Sequence, residues 1–106
     1  MASLVIENNE LNTSNLNIIN FVVQFGGFEI VKMLCGKVKN PIVEDEMGNS
    51  PIHHAASNGS LEILKFLITY TSNPNVPNKN GMTPLEIATS NGHKKIVKYL
   101  QEFLSQ

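Results

Sequence analysis

The side chains with the most versatile chemistry in this sequence are its three histidines, two of which are adjacent. His53 and His54 could each bind a metal or move a proton. Neighbouring side chains on a helix point about 100° apart, so these two cannot share one metal ion. Glu86 and His93 do not complete a ligand cluster with them. The histidines therefore predict no metal site.

The remaining nucleophiles are isolated as well. Cys35 lies in an apolar stripe, where it is predicted to be a small buried side chain with no base or positive charge beside it. Ser57 and Ser60 have no triad spacing to the histidines, and no glycine-rich phosphate loop follows a strand pattern. We therefore expect no catalytic residue, no cofactor and no enzymatic activity.

Composition indicates one small folded domain. The chain has 106 residues, of which 42% are hydrophobic and 16% charged, and its formal net charge is -1. This charge gives no reason to expect nucleic acid, and no apolar run approaches the roughly 18 residues of a membrane-spanning helix. A single cysteine without a signal-like start predicts an intracellular protein, of the cytoplasm or the nucleus.

The elements that must position any functional residue repeat every 33 residues. Residues 45–68 align with residues 78–101, and nine of the 24 aligned positions are identical. Among the identical pairs are Gly48/Gly81, Pro51/Pro84 and Gly59/Gly92. A third, less similar copy precedes these two. Three units of this kind predict a solenoid, in which each unit packs only on its neighbours.

Each unit is predicted to contain a turn and two short helices. A turn with Asp45 or Asn78 ahead of a glycine is followed by a hydroxyl residue and proline, which cap and start the first helix. Gly59 and Gly92 are expected to end this helix in the left-handed conformation. Apolar residues then recur at helical spacing in the second helix.

These motifs resemble the ankyrin repeat. Residues 50–56 (SPIHHAA) and 83–88 (TPLEIA) are similar to its T-P-L-H-x-A signature, and residues 59–67 are similar to its second helix. The resemblance implies an all-α solenoid of stacked helix-turn-helix units with short β-hairpin loops. It also implies that His53 bonds back to the Ser50 turn. His54 is predicted to be a neutral histidine packed between repeats.

The predicted repeat domain covers residues 12–106 after a lead-in of residues 1–11, with units of about 12–44, 45–77 and 78–106. In the first unit we predict a turn over residues 12–15, and Asn17 replaces the residue that starts the first helix. The first and last units are interpreted as caps of the array.

In this family the usual binding surface is the concave face formed by the loop tips and the first helices. We expect partner contacts by Leu16 and Phe25 in the first unit, by Glu46, Met47, Asn49, Ser57 and Asn58 in the second, and by Lys79, Asn80, Met82, Ser90 and Asn91 in the third. Met47 and Met82 are the strongest candidates, because apolar side chains at turn tips are not needed for packing.

The resulting hypothesis is a monomeric module, an adaptor or stoichiometric inhibitor, that binds a protein. Two alternatives stay open: a non-catalytic regulatory subunit of an enzyme complex, and a self-associating repeat protein. A mild acidic-to-basic gradient is expected along the stack, from residues 44–46 to Lys94, Lys95 and Lys98.

Overall fold

A computed structural model describes residues 13–105, with side chains from residue 18 onward. These residues form six helices: α1 (Thr13–Phe25), α2 (Phe28–Cys35), α3 (Pro51–Asn58), α4 (Leu61–Ile68), α5 (Pro84–Ser90) and α6 (Lys94–Leu104). No strand occurs within this part of the chain, so the expected hairpins between units are turns. The all-α repeat architecture predicted from the sequence is confirmed.

Helices α3 and α5 begin at the predicted residues. The Ser50 hydroxyl accepts hydrogen bonds from the backbone N–H groups of Ile52 and His53, at 3.1 and 3.4 Å. Thr83 caps α5 in the same way, since its hydroxyl accepts the N–H of Glu86 at 3.2 Å. Proline follows each cap, where a helix needs no amide donor. These short helices therefore have satisfied N-termini.

The turn that joins the two helices of a unit depends on glycine. Gly59 has a φ of 80° and Gly92 a φ of 76°, in the left-handed region that other residues rarely adopt. In the second unit the Gly59 N–H donates to the Ala55 carbonyl at 3.0 Å and closes the end of α3. The chain can then reverse within two residues and start the second helix.

The helices form two rows around one core. In the inner row α3 packs between α1 and α5, and in the outer row α4 packs between α2 and α6. Fully buried alanines (Ala55, Ala56 and Ala88) allow the inner helices to approach closely, while larger residues such as Leu64 and Leu67 fill the space between the rows. Burying each such leucine stabilises the fold by about 1.5–3 kcal/mol.

Aromatic side chains connect the outer helices. The rings of Phe28 and Phe66 meet edge to face at 5.7 Å between centroids, and Phe66 meets Tyr70 at 5.5 Å. The Lys65 ammonium group lies 5.3 Å from the Tyr99 ring centroid, which joins α4 to α6. The Phe28–Phe66 and Lys65–Tyr99 contacts thus join each unit to the next on the convex side of the molecule.

The first unit differs from its prediction. Helix α1 begins at Thr13 and is 13 residues long, so residues 13–15 are helical rather than a turn and Asn17 lies inside the helix. Asn12 falls outside the described residues. The hydroxyl-proline pair that starts α3 and α5 is missing here. No residue in this segment therefore stops the helix from extending toward the N-terminus.

Candidate functional site

Two loop tips project beside the inner helices, and the same side-chain bonds shape both of them. Asp45 Oδ1 accepts the N–H groups of Met47 and Asn49 at 2.9 and 3.0 Å. Asn78 Oδ1 accepts those of Asn80 and Met82 at 2.9 and 3.0 Å. Gly48 and Gly81 follow with positive φ angles of 77° and 80°. Each tip is therefore a fixed turn that can present its outermost side chains to a partner.

The two tips are bonded to each other. The Lys79 N–H donates to the Met47 carbonyl at 3.0 Å, and Asn78 Nδ2 donates to Asn49 Oδ1 at 2.8 Å. Asn49, predicted to contact a partner, thus also aligns neighbouring tips. The tips of the second and third units consequently form one continuous edge of the concave face.

His54 has a partner that the sequence did not predict. Its Nε2 lies 3.0 Å from Asp45 Oδ2, so the side chain connects α3 to the tip of its own unit. Burial raises the pKa of Asp45, but hydrogen bonds from the Asn49 N–H, His54 and the Met47 N–H outweigh it, so the pKa is lower than usual. Asp45 is therefore a carboxylate that holds the tip together.

The polar residues at the C-terminal ends of the inner helices connect neighbouring units. Asn58 Nδ2 donates to the carbonyl oxygen of Gln24 at 3.0 Å, and Asn91 Nδ2 donates to that of Ser57 at 3.1 Å. Both asparagines, and also Ser57 and Ser90, are exposed. The predicted polar contact residues lie together on one surface, and two of them are already engaged in joining units.

Exposed apolar side chains cluster at one end of this surface. Phe25 is 71% exposed and Met47 is 50% exposed. Phe21, which the sequence analysis missed, is 59% exposed, and its ring centroid lies 5.0 Å from that of Phe25. An open groove of about 290 Å³ separates α1 from the tip of the second unit, lined by Asn20, Phe21, Gln24, Asp45, Glu46 and Met47. We call Phe21, Phe25 and Met47 the apolar patch.

The remaining predicted contact residues differ in how far they are exposed. Glu46, Lys79 and Asn80 are exposed at the tips. Met82 is less exposed than Met47, because it lies at the base of its turn, so it is a weaker candidate. The side chain of Leu16 lies outside the described residues. The one sequence signal for Phe21 is that it lies one helical turn before Phe25 and so shares its side of the helix.

The groups with intrinsic reactivity are buried. His53 is 2% exposed, its Nδ1 accepts the Ser50 N–H at 3.0 Å as the resemblance implied, and burial lowers its pKa. Cys35 is 1% exposed, and desolvation raises the pKa of its thiol to about 11. Between residues 13 and 105 no group of three metal-ligating side chains comes together.

Comparison with known proteins supports this description. A family model described as ankyrin repeats, in three copies, matches residues 19–104. No curated protein sequence matches the chain. A chain from the solved complex of Bd0816, a predatory endopeptidase from Bdellovibrio bacteriovorus, with immunity protein Bd3460 is similar to 79% of this chain, at a TM-score of 0.73 and 32% identity. The similarity spans 44% of that chain, less than half of its length.

None of the helices in residues 13–105 combines the length and the apolar character that crossing a bilayer requires.

Proposed function

This chain belongs to the ankyrin-repeat family, and we propose that it is a small protein-binding module, an adaptor or stoichiometric inhibitor, that holds its partner against the concave face. The observation that carries this proposal is the apolar patch. Three large apolar side chains, Phe21, Phe25 and Met47, are at least half exposed on the one surface to which loop tips and inner helices both contribute. Such side chains become favourable contacts when a partner removes them from water.

The inhibitor form of the proposal is supported by the similar solved structure. That structure is a complex between an endopeptidase and an immunity protein. A chain of similar fold therefore takes part in a complex of two proteins. By analogy, an enzyme is a reasonable class of partner for this chain.

We further propose that the protein works in a reducing intracellular compartment. Its single cysteine is buried, and the thiol stays protonated because desolvation raises its pKa to about 11. A chain with one buried cysteine has no disulfide to contribute to its stability.

The test of the binding proposal uses two methionines as a matched pair. Met47 on the concave face is 50% exposed, and Met33 on the outer helix α2 is 55% exposed. Once a partner has been isolated, its Kd is measured by calorimetry for Met47→Ala, Phe25→Ala and Met33→Ala. We expect each concave-face variant to bind at least about tenfold more weakly, equivalent to about 1.4 kcal/mol, with Met33→Ala unchanged. Equal affinity for all three variants would exclude the concave face as the site.

A self-associating protein is the alternative that a specific observation favours. Ile30 is 45% exposed, although its equivalents in the later units, Ile63 and Ile96, are buried. Together with Met33 it forms an apolar end surface on α2. A mass that rises with concentration in sedimentation equilibrium, and that Ile30→Lys returns to the monomer value, would support this alternative. A regulatory subunit would instead co-purify with one defined enzyme.

A further inference from the structure

The charges of the tips and helices are divided between the two faces of the molecule; Lys37 and Lys39, in the segment that follows α2, lie outside both groups. The concave side carries four acidic residues and one lysine, which lie on the two tips, on the inner helices and just before the tip of the second unit: Glu44, Asp45, Glu46, Glu86 and Lys79. The outer helices carry five lysines and three glutamates: Lys32, Lys65, Lys94, Lys95, Lys98, Glu29, Glu62 and Glu102. The concave side is therefore net negative and the convex side net positive. Negative and positive charge are therefore separated between the two faces of the stack more clearly than between its two ends.

The negative charge is concentrated beside the apolar patch. Glu46 and Met47 are adjacent and line the same groove as Phe21. Glu44 and Glu46 are both exposed, and neither forms an ion pair within residues 18–105. Asp45, between them, is held by His54 and by the backbone of its own turn. Glu46 thus places one free carboxylate at the border of the apolar patch, while Glu44 lines a separate cavity with His53 and Thr71.

The groove is an open depression of about 290 Å³, lined by Phe21 from α1 and by Glu46 and Met47 from the tip of the second unit. It therefore offers apolar surface and a carboxylate side by side. Phosphate-rich ligands are disfavoured here, because the carboxylates would repel them.

We infer that this groove binds a segment of another protein in which a bulky apolar side chain lies next to lysine or arginine. The inference rests on the proposed function and specifies the partner's chemistry. The apolar side chain removes Phe21, Phe25 and Met47 from water, while the cation lies against Glu46 and orients the segment. The charge contribution weakens as salt is added, and the apolar contribution does not.

The test selects peptides from a random library displayed on phage, using the full 106-residue chain as the immobilised target. The most enriched peptide is then synthesised, and its Kd is measured for Phe25→Ser and Glu46→Lys. Two outer-face controls make the same chemical changes: Met33→Ser on α2 and Glu102→Lys on α6. Circular dichroism melting verifies that every variant is folded.

We expect the selected peptides to combine Trp, Phe, Leu or Met with Lys or Arg. Both concave-face variants should weaken binding at least about tenfold, and both controls should bind normally. Raising NaCl from about 0.05 to 0.5 M should weaken binding to the wild type but not to Glu46→Lys.

The remaining outcomes overturn the inference and separate it from the proposed function. Acidic or uncharged peptides that lose affinity with Phe25→Ser would refute the basic partner but leave the concave face as the binding site. Peptides that respond only to Met33→Ser or Glu102→Lys would refute both. A library that yields no binding peptide, or a chain that assembles with itself through this groove, would also contradict the inference.

Discussion

At the scale of single residues, one position is filled by a different residue in each unit, and each of the three forms a local hydrogen bond. Asn20 Nδ2 donates to the Val43 carbonyl at 3.1 Å in the first unit. His53 accepts the N–H of the residue that caps its helix in the second. Glu86 Oε1 accepts the equivalent N–H of Thr83 at 3.0 Å in the third. The fold requires a hydrogen-bonding side chain here, and the residue type can vary.

The histidine at this position should make the stability of the fold depend on pH. Burial lowers the pKa of His53 from its ordinary value of 6.5, with His54 acting in the same direction and Glu44 against it. Below pH 6.5, His53 binds a proton more readily in the unfolded chain than in the folded one. Its contribution to the free energy of unfolding is therefore full above pH 6.5 and decreases as the pH falls below it. Urea unfolding should show a lower midpoint at about pH 5.5 than at about pH 7.5.

The control is His53→Asn, which uses the residue found at this position in the first unit. Its unfolding midpoint should depend less on pH than that of the wild type. An unchanged pH dependence in His53→Asn would assign the effect to another group.

At the scale of elements, the turn tips are supported by their neighbours. Gly48 and Gly81 have the same backbone conformation, but a Cβ at Gly48 would lie 2.8 Å from the Lys79 nitrogen, whereas a Cβ at Gly81 would meet nothing within 4 Å. The Lys79 N–H is also the donor of the bond between the two tips. The tip of the second unit is thus held by its own turn and by contact with Lys79. The tip of the third unit has no such neighbour at Gly81.

Alanine substitutions at these two glycines should separate the two effects. Gly81→Ala should lower the free energy of unfolding by about 1–2 kcal/mol, because alanine is strained at a positive φ. Gly48→Ala should cost at least about 1 kcal/mol more, since its Cβ displaces backbone and not a flexible side chain. Chemical denaturation measures both values. Equal losses would show that the tips do not pack against each other as described.

The elements also show which parts of the fold could be predicted from the sequence. Helices α3 to α6 were predictable because caps, prolines and glycines mark their ends at one period, as at Ser50 and Gly59. Helix α1 was not, since it lacks the hydroxyl-proline pair and residues 12–15 were interpreted as a turn. The contact between His54 and Asp45 joins residues nine apart across a turn, so it depends on how the tip folds back and not on helical periodicity.

At the scale of the whole molecule, the site depends on how units are arranged. Met47 was predictable because an apolar residue at a turn tip has no packing requirement. Phe21 was not predicted, because helical periodicity alone does not distinguish a concave surface from a core. Its exposure follows from its position beside an open groove rather than beneath another helix. The division of charge between the two faces could likewise not be predicted, because it depends on which helices form the inner row and which form the outer row.

The central claim is that the concave face, and not the convex face, holds a protein. The most direct measurement places the photoreactive residue benzoylphenylalanine at position 47 or at position 33 and irradiates the complex with the isolated partner. The two positions are matched, with methionines 50% and 55% exposed on opposite faces. The account predicts a covalent adduct with the partner from position 47 and none from position 33. An adduct from position 33 alone would contradict it.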